Sequence, residues 1–192
     1  MGMKRRLPRI IGILVAAGLA AAPAAHATTT VHSPAGAAAA RCAGAHALPT
    51  AATLKLAARA TLCLLNAQRS AHGLRRLASH PILQRSAKRY ARAMVSRRFF
   101  SHVAPDGQTL GARMSRYVSG ARGWAYGENL AWGAGANATP AQIVRAWMAS
   151  AGHRANILSA RWRHIGIGIA PGAPVATPGP AASYVTHFGW RG

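Results

Sequence analysis

Large apolar side chains are unevenly distributed along this chain of 192 residues. From Thr28 to about Thr50 the sequence consists mainly of Ala, Thr, Gly and Pro, so this stretch lacks the apolar surface that an independent fold would bury. We therefore expect residues 28–52 to form a flexible segment. Residues 53–192 have the length of one compact domain, and no internal repeat is apparent in them.

The first 27 residues have the pattern of a signal peptide. A basic stretch made of Lys4, Arg5, Arg6 and Arg9 precedes an apolar run from Ile10 to Ala25. Ala25 and Ala27 then supply small residues around a cleavage point after Ala27, which predicts secretion by the Sec route. A retained membrane anchor is the alternative, but the run is short for a span of about 20 residues. We expect residues 1–27 to be removed and the mature protein to have no transmembrane span.

The chain is strongly basic, with a net charge of +22 that becomes +18 once the four basic residues of the leader are removed. Such a charge favours attraction to an anionic cell-envelope polymer or to a membrane surface. A genomic bias toward Arg, Ala and Gly codons is an equal alternative, because it would place Arg on solvated faces without a function. The charge therefore indicates partners but does not select one.

Acidic side chains are rare in this sequence, which contains only Asp106 and Glu128. A glycosidase of the usual kind needs two carboxyl groups across the scissile bond, and only this pair could supply them. A Ser-His-Asp triad would also have to use one of the two. The motifs Gly-x-Ser-x-Gly and His-Glu-x-x-His are both absent. Mechanisms that need two acidic side chains are thus nearly excluded.

Two cysteines, Cys42 and Cys63, remain after the expected export into an oxidising compartment. A single disulfide is the simplest interpretation, and it would tie the N-terminal arm to the first helix. Closing a loop of this length stabilises a fold by about 3 kcal/mol in the chain-entropy model. Neither thiol has an activating neighbour in the sequence, so catalytic use is disfavoured.

Helical patterns dominate the first part of the domain and β-prone segments the last part. The predicted helices carry Leu54, Ala58, Leu62 and Leu65 before Gly73; Leu83, Ala87, Tyr90, Ala91 and Met94 after Ser79 and Pro81; residues 109–117; and Ile143, Val144 and Trp147 between Thr139-Pro140 and Gly152. The predicted strands are Ile165–Ile169 and Ser183–Phe188. This order indicates a layered α+β domain.

Four short clusters, in chain order, carry a family resemblance. They are Phe99-Phe100-Ser101-His102 with Pro105-Asp106-Gly107; Gly127-Glu128-Asn129-Leu130-Ala131; Trp147 to Leu158, which includes Gly152-His153-Arg154; and Ile165-Gly166-Ile167-Gly168. Together they closely resemble the bacterial branch of the CAP superfamily, also called SCP-like domains. The resemblance covers about Thr53 to Trp190 and implies an α-β-α sandwich of CAP/SCP type.

The resemblance further implies that this domain has a cleft lined by two histidines and two acids. His102 and His153 match the histidines and Glu128 matches the first acid, while Ser150 stands where the second acid is often found. Chemically, His102 and His153 could hold a divalent cation, with zinc the best match to His and carboxylate donors. Glu128 would then be a ligand or the partner that fixes an imidazole tautomer. The alternative is a hydrogen-bonded polar cluster without metal.

Other residues receive structural interpretations. Asp106 before Gly107 is expected to serve turn chemistry rather than catalysis, and Glu128 could equally anchor a strand end. Core positions are expected for Trp147, Trp162, Phe99, Phe100 and Ile157. His187 is kept as a minor candidate, because it lies near a strand segment where relatives often have a polar residue.

Two functional hypotheses remain from the sequence, and a third is disfavoured. The first is a secreted, non-catalytic binding module for a lipid or cell-envelope ligand at the His/Glu cleft. The second is a metal-assisted, peptidase-like hydrolase in which His102 and His153 hold zinc and Glu128 activates water. Specific nucleic-acid binding is disfavoured because the Arg residues are dispersed over helices and form no recognised module. The sequence does not define the oligomeric state.

Overall fold

A computed structural model describes residues 41–192. Its helices are α1 (Leu54–Ala71), α2 (Pro81–Ser96), α3 (Leu110–Val118), α4 (Pro140–Ala149) and α5 (Ala151–Ile157), with a 3-10 turn at Gly135–Ala138. Its strands are β1 (Ala78–Ser79), β2 (Trp124–Ala134), β3 (His164–Pro171) and β4 (Ala181–Arg191). Mixed helices around one open sheet confirm the predicted α+β class.

The four strands form one sheet in the order β1-β3-β4-β2. β4 is central and pairs antiparallel with both β2 and β3, whereas the two-residue β1 pairs parallel with the start of β3. One face of the sheet packs on α1, α4 and α5 through an apolar cluster that includes Leu65, Trp147 and Phe188. The opposite face packs on α2 and α3. This arrangement is the expected α-β-α sandwich, and β2 lies at one edge.

The alternation Ile165-Gly166-Ile167-Gly168-Ile169 in β3 explains how the layers approach each other. The isoleucines join the cluster beneath α1, because alternate residues of a strand point to the same face. The glycines face α2, where an added Cβ would lie 2.0 Å from the backbone of Leu83 at Gly166. At Gly168 the same Cβ would lie 2.1 Å from the carbonyl oxygen of Ala87. Helix α2 therefore rests directly on the sheet, and only glycine fits beneath it.

Most predicted helices are confirmed, but two details of the prediction are wrong. Gly73, at φ +68°, follows the end of α1, and the Thr109 hydroxyl accepts a hydrogen bond from the Ala112 amide at the start of α3. Gly152, however, does not end the fourth helix, because the chain bends at Ser150 and Gly152 lies inside α5. Phe100 is also not a core residue, since 48% of it is exposed.

The disulfide between Cys42 and Cys63 is present, with a Cα–Cα distance of 5.7 Å. It fastens the segment before α1 to that helix, and Cys42 and Ala45 are buried there. The Ala45 carbonyl also accepts a hydrogen bond from the Ala141 amide of α4. The described part of the 28–52 segment is thus packed on the domain at these points. The signal peptide prediction for residues 1–27 lies outside the described residues.

Candidate functional site

Glu128 is the centre of a polar cluster, and the pairing of β2 with β4 explains its first contact. Glu128 lies directly opposite His187 in the antiparallel register, so their side chains leave the sheet on the same face. The His187 Nε2 donates to Glu128 Oε2 at 2.8 Å. Both side chains are almost completely shielded from solvent, with 0% and 1% exposed. His187, a minor candidate from the sequence, therefore belongs to this hydrogen-bonded cluster.

Helix α3 contributes Arg113, a site residue that the sequence reasoning missed. Its Nη2 lies 3.0 Å from Oε1 and 2.9 Å from Oε2 of Glu128, and 2.8 Å from the carbonyl oxygen of His102. Its Nη1 donates to the Gln108 carbonyl oxygen. The guanidinium carbon lies 3.5 Å from the centre of the Tyr90 ring, so the cation also stacks on an aromatic face. Arg113 thus joins the carboxylate to the loop that carries His102.

His102 lies in that loop, between α2 and α3, and it is the solvent-facing member of the cluster. Its Nδ1 is 2.7 Å from Glu128 Oε1, while 39% of its side chain is exposed. Because the carboxylate can only accept, Nδ1 carries the proton of this hydrogen bond. In the neutral form of the ring this bond fixes one tautomer, in which Nε2 is an acceptor.

The electrostatic consequences follow from these contacts. Burial raises the pKa of Glu128, but the hydrogen bonds from His102 and His187, with the charge of Arg113, outweigh it and lower that pKa to about 2. Burial lowers the pKa of His187 and outweighs the hydrogen bond to Glu128 and the charge of Glu128, which both raise it. A neutral His187 fits its contacts, because its buried Nδ1 has no partner among the described residues and is then an uncharged acceptor. The Glu128 carboxylate is consequently stabilised by two imidazole N–H groups and one guanidinium.

His153 approaches the site from the other side of β2, on helix α5. Its carbonyl oxygen accepts a hydrogen bond from the side chain of Asn129, and the Asn156 side chain joins Asn129 and the carbonyl of Glu128. Burial lowers the pKa of its imidazole, with a further effect from His102. No hydrogen bond joins its imidazole to Glu128 within residues 41–192. His153 is therefore a neighbour of His102 rather than a fourth partner of the carboxylate.

Of the residues that were expected to hold a metal, Glu128 is better suited to positioning His102 than to coordinating the ion directly. Both oxygens of Glu128 already accept hydrogen bonds, so direct coordination would displace Arg113, His102 or His187. Holding the Nδ1–H of His102 requires no such displacement and leaves Nε2 for a ligand. Across residues 41–192, no set of three or more His, Cys, Asp and Glu side chains is arranged to hold a metal ion. The site thus offers two imidazoles, from His102 and His153, and a carboxylate that positions the first.

The remaining candidates have structural roles. Asp106 accepts a hydrogen bond from the Gln108 amide within the turn and pairs with Arg97 at 2.7 Å, which agrees with the expected turn chemistry. Ser150 lies at the junction of α4 and α5, where its amide bonds to the carbonyls of Ala146 and Trp147. Trp147 is buried and donates to the carbonyl of Leu130 in β2.

Comparison with known proteins agrees with this geometry. Residues 62–177, more than half of the chain, match the model of the CAP, or cysteine-rich secretory protein, family. The uncharacterized protein YkwD of Bacillus subtilis (strain 168) is 38% identical over 106 residues, which are 55% of this chain and 39% of that protein. The chain therefore matches well under half the length of this curated relative.

Two solved structures extend the comparison. An extracellular protein containing an SCP domain from Bacillus anthracis str. Ames superimposes with a TM-score of 0.57 and 27% identity, over 73% of this chain and 43% of that one. An outer surface protein of Borrelia burgdorferi has a TM-score of 0.59 and 23% identity, over 76% and 97% of the two chains, and shows the shared fold alone. No helix within residues 41–192 is both long and apolar enough to cross a membrane. With the family model matched over most of the folded domain, the chain belongs to the CAP family.

Proposed function

We propose that this CAP domain is exported and acts as a non-catalytic binding module, which takes a lipid or another cell-envelope ligand at the cleft formed by His102, Glu128 and His153. Export is supported by the structural relative from Bacillus anthracis, which is described as an extracellular protein. The observation that carries the non-catalytic part is the saturation of Glu128 by His102, Arg113 and His187.

A saturated carboxylate is a poor catalyst for proton transfer. A general base works best when its pKa lies near the working pH, whereas the pKa of Glu128 is about 2. The other carboxylate, Asp106, is engaged with Arg97 in an exposed turn. No hydrogen bond within the described residues joins the Ser150 hydroxyl to an imidazole, so this position lacks an activated nucleophile. These features favour recognition over turnover.

The cluster has instead the properties of a fixed recognition surface. The Glu128 carboxylate holds the neutral form of His102 in one tautomer, which leaves an acceptor nitrogen on a ring that is partly exposed to solvent. Lipid headgroups, sterols and envelope polymers carry hydroxyl groups that donate to such an acceptor. The lowered pKa of His153 keeps the second imidazole neutral near it. A pre-positioned acceptor loses little conformational entropy on binding, which favours affinity.

Native mass spectrometry of the protein secreted into its own culture medium tests this proposal. The wild-type protein is expected to carry a small ligand that organic extraction releases, while His102→Ala and His153→Ala proteins carry much less of it. His72→Ala is the matched control, because His72 is an exposed histidine whose Nδ1 bonds only to the Gln68 carbonyl at the end of α1. A wild-type protein without ligand, or equal retention in all variants, contradicts the proposal.

A metal-assisted hydrolase is the second candidate, and one observation favours it. Glu128 holds the Nδ1 of His102, so Nε2 is the ring nitrogen left for a ligand, and burial and the nearby His102 lower the pKa of His153, which favours the neutral, ligating form of that second imidazole. These two residues would hold zinc, which would supply an acidic bound water. Elemental analysis of untagged protein decides between the candidates. Stoichiometric zinc that disappears in His102→Ala supports this candidate, and absence of zinc after titration rejects it.

A further inference from the structure

A stacked pair of aromatic side chains lies at the start of β2, the strand at one edge of the sheet. The rings of Trp124 and Tyr126 are nearly parallel, with 2° between their planes and 5.3 Å between their centres. Both side chains lie on the same face of the strand, because they are two residues apart. Trp124 is nevertheless 50% exposed, more than any other Phe, Tyr or Trp within residues 41–192. An aromatic surface is thus available to a ligand at this edge.

Helix α3 holds this aromatic pair in place. Tyr126 packs against the apolar cluster that Met114 and Tyr117 of α3 form with Leu83. A Cβ added at Gly111 would lie only 2.9 Å from the Tyr126 hydroxyl oxygen, so the ring and the helix are in close contact there. Tyr126 in turn supports one side of the Trp124 ring. An aromatic surface that is already ordered loses little conformational entropy when a ligand binds to it.

The backbone of the same two residues has hydrogen-bonding groups without a partner. Gly123 and Gly192, which precede and follow the paired strands, exchange both of their backbone hydrogen bonds. Because bonded and non-bonded pairs alternate in an antiparallel ladder, Trp124 and Tyr126 direct their N–H and C=O groups away from β4. No other hydrogen bond within residues 41–192 uses these four groups. Two donors and two acceptors therefore lie beside the exposed ring.

This open stretch of β2 is too short for a peptide that would extend the sheet. The Glu128 carbonyl, which is next in the same outward row, accepts a hydrogen bond from the Asn156 side chain. The Leu130 carbonyl accepts one from the indole of Trp147. These side chains occupy the positions where an added strand would bond. The two open residues therefore suit a ligand that carries single amide groups better than they suit an extended peptide.

We propose that Trp124 and Tyr126 form a subsite for an N-acetylated glycan. The C–H groups on one face of a sugar ring form an apolar surface, which stacks on the exposed side of Trp124. An acetamido group carries one N–H donor and one C=O acceptor, the complement of the outward groups of one strand residue. A hydrocarbon chain would instead cover these backbone groups without bonding to them. Trp124 lies four strand residues, or about 13 Å, from Glu128, so the subsite is separate from the His/Glu cleft.

Titration of the ¹⁵N-labelled secreted protein with N,N′,N″-triacetylchitotriose, followed by NMR, tests the proposal. The largest shifts are expected at the Trp124 indole and at the backbone amides of Trp124 and Tyr126. Trp124→Leu keeps an apolar side chain without a ring and is expected to bind about tenfold more weakly, because stacking is lost. Trp124→Tyr restores a ring and should recover most of the affinity. Urea midpoints of both variants are measured in parallel and should stay close to that of the wild type, because Trp124 is half exposed.

A matched variant and a matched ligand serve as controls. Phe100→Leu removes an aromatic ring of similar exposure, 48%, from the loop that precedes His102 and leaves β2 unchanged. Its affinity for the trisaccharide should stay within about twofold of the wild-type value. Cellotriose has the same linkage between its sugar rings but no acetamido groups. It can stack on Trp124 but cannot pair with the strand edge as an amide does, so it should bind much more weakly.

Several results overturn the proposal. An absence of shifts in the wild-type protein, or equal weakening by Trp124→Leu and Phe100→Leu, removes the subsite. Equal affinity for cellotriose removes the role of the strand edge and with it the selection of an N-acetylated sugar. Loss of glycan binding in His102→Ala, with normal binding in Trp124→Leu, moves the glycan to the cleft; that outcome rejects the subsite and leaves the proposed function standing.

Discussion

The two side-chain carboxylates, Asp106 and Glu128, lie in contrasting environments: one is exposed and the other is buried. Asp106 closes an exposed turn and pairs with the exposed Arg97, whereas Glu128 is buried in the sheet and accepts from Arg113, His102 and His187. Both have a lowered pKa, but only Glu128 has lost its water. The comparison teaches that the cost of removing a carboxylate depends on which cation is left behind. Water solvates Arg97, while Arg113 would remain buried.

Glu128→Ala is expected to have the largest effect on stability. It leaves the Arg113 guanidinium buried without its anion, so we expect the free energy of unfolding to fall by about 3–5 kcal/mol. Urea unfolding followed by tryptophan fluorescence measures this loss. Glu128→Gln retains one acceptor and most of the volume and should lose less. A loss for Glu128→Ala no greater than that of Asp106→Ala would contradict the distinction.

Acid unfolding gives the next largest effect. Unfolded Glu128 takes up a proton near its ordinary pKa of 4.5, but folded Glu128 does so only near 2. Between these pH values the unfolded state binds more protons than the folded state. The free energy of unfolding therefore falls by about 3 kcal/mol as the pH is lowered from 4.5 to 2. Urea midpoints from pH 5 to pH 2 measure this fall. The Glu128→Gln protein should have a much flatter profile, and an unchanged profile would break the account.

Arg113→Lys tests the guanidinium itself. Lysine keeps the positive charge but lacks the planar group that bonds both oxygens of Glu128 and stacks on Tyr90. We expect a destabilisation of about 2 kcal/mol, since two charge-assisted hydrogen bonds are weakened. Arg97→Lys, in the exposed pair with Asp106, is the control and should be nearly neutral. Equal effects at the two positions would show that burial does not set the energy.

His187→Gln probes a smaller contribution, near neutral pH. Burial lowers the pKa of His187, so the unfolded state binds its proton first as the pH falls below the ordinary value of 6.5. This residue therefore makes the wild-type protein less stable on going from pH 7 to pH 5. The glutamine variant retains an N–H donor and should have a shallower slope in that range. An identical or steeper slope would indicate that His187 is not held neutral.

Asp106→Asn is expected to have the smallest effect. Asparagine keeps an acceptor for the Gln108 amide and loses only the exposed ion pair with Arg97, which solvent and salt already weaken. The urea midpoint should not move beyond experimental error. A clear drop would remove the contrast between the two regions.

The sequence predicted the fold from local patterns but could not predict the whole cluster. Apolar spacing placed α1 and α2, and the Ile-Gly alternation placed β3. Strand β2 was missed because adjacent residues Glu128, Asn129 and Leu130 are all buried, which hides the alternation of a half-exposed strand. In effect, the strand buries polar side chains on both faces of the sheet.

The members of the polar cluster around Glu128 differed in how clearly the sequence pointed to them. His102, Glu128 and His153 were found through family motifs, and His187 through its position near a strand. Arg113 could not be found, since one arginine among 24 basic residues has no distinguishing local pattern. Its role depends on the packing of α3 across the sheet, a contact between residues 15 positions apart. The only available signal was indirect: a lone buried carboxylate requires a cation.

The most direct measurement of the central claim uses the fact that Glu128 is the only glutamate of the chain. Protein labelled with ¹³C-glutamate gives one side-chain carboxyl resonance, which can be followed by NMR as the pH is lowered. This resonance is expected to stay at its ionised position until the pH approaches 2 or the protein unfolds. A titration near pH 4.5 in the folded protein would contradict it, because a carboxylate held by Arg113, His102 and His187 cannot titrate like a free one.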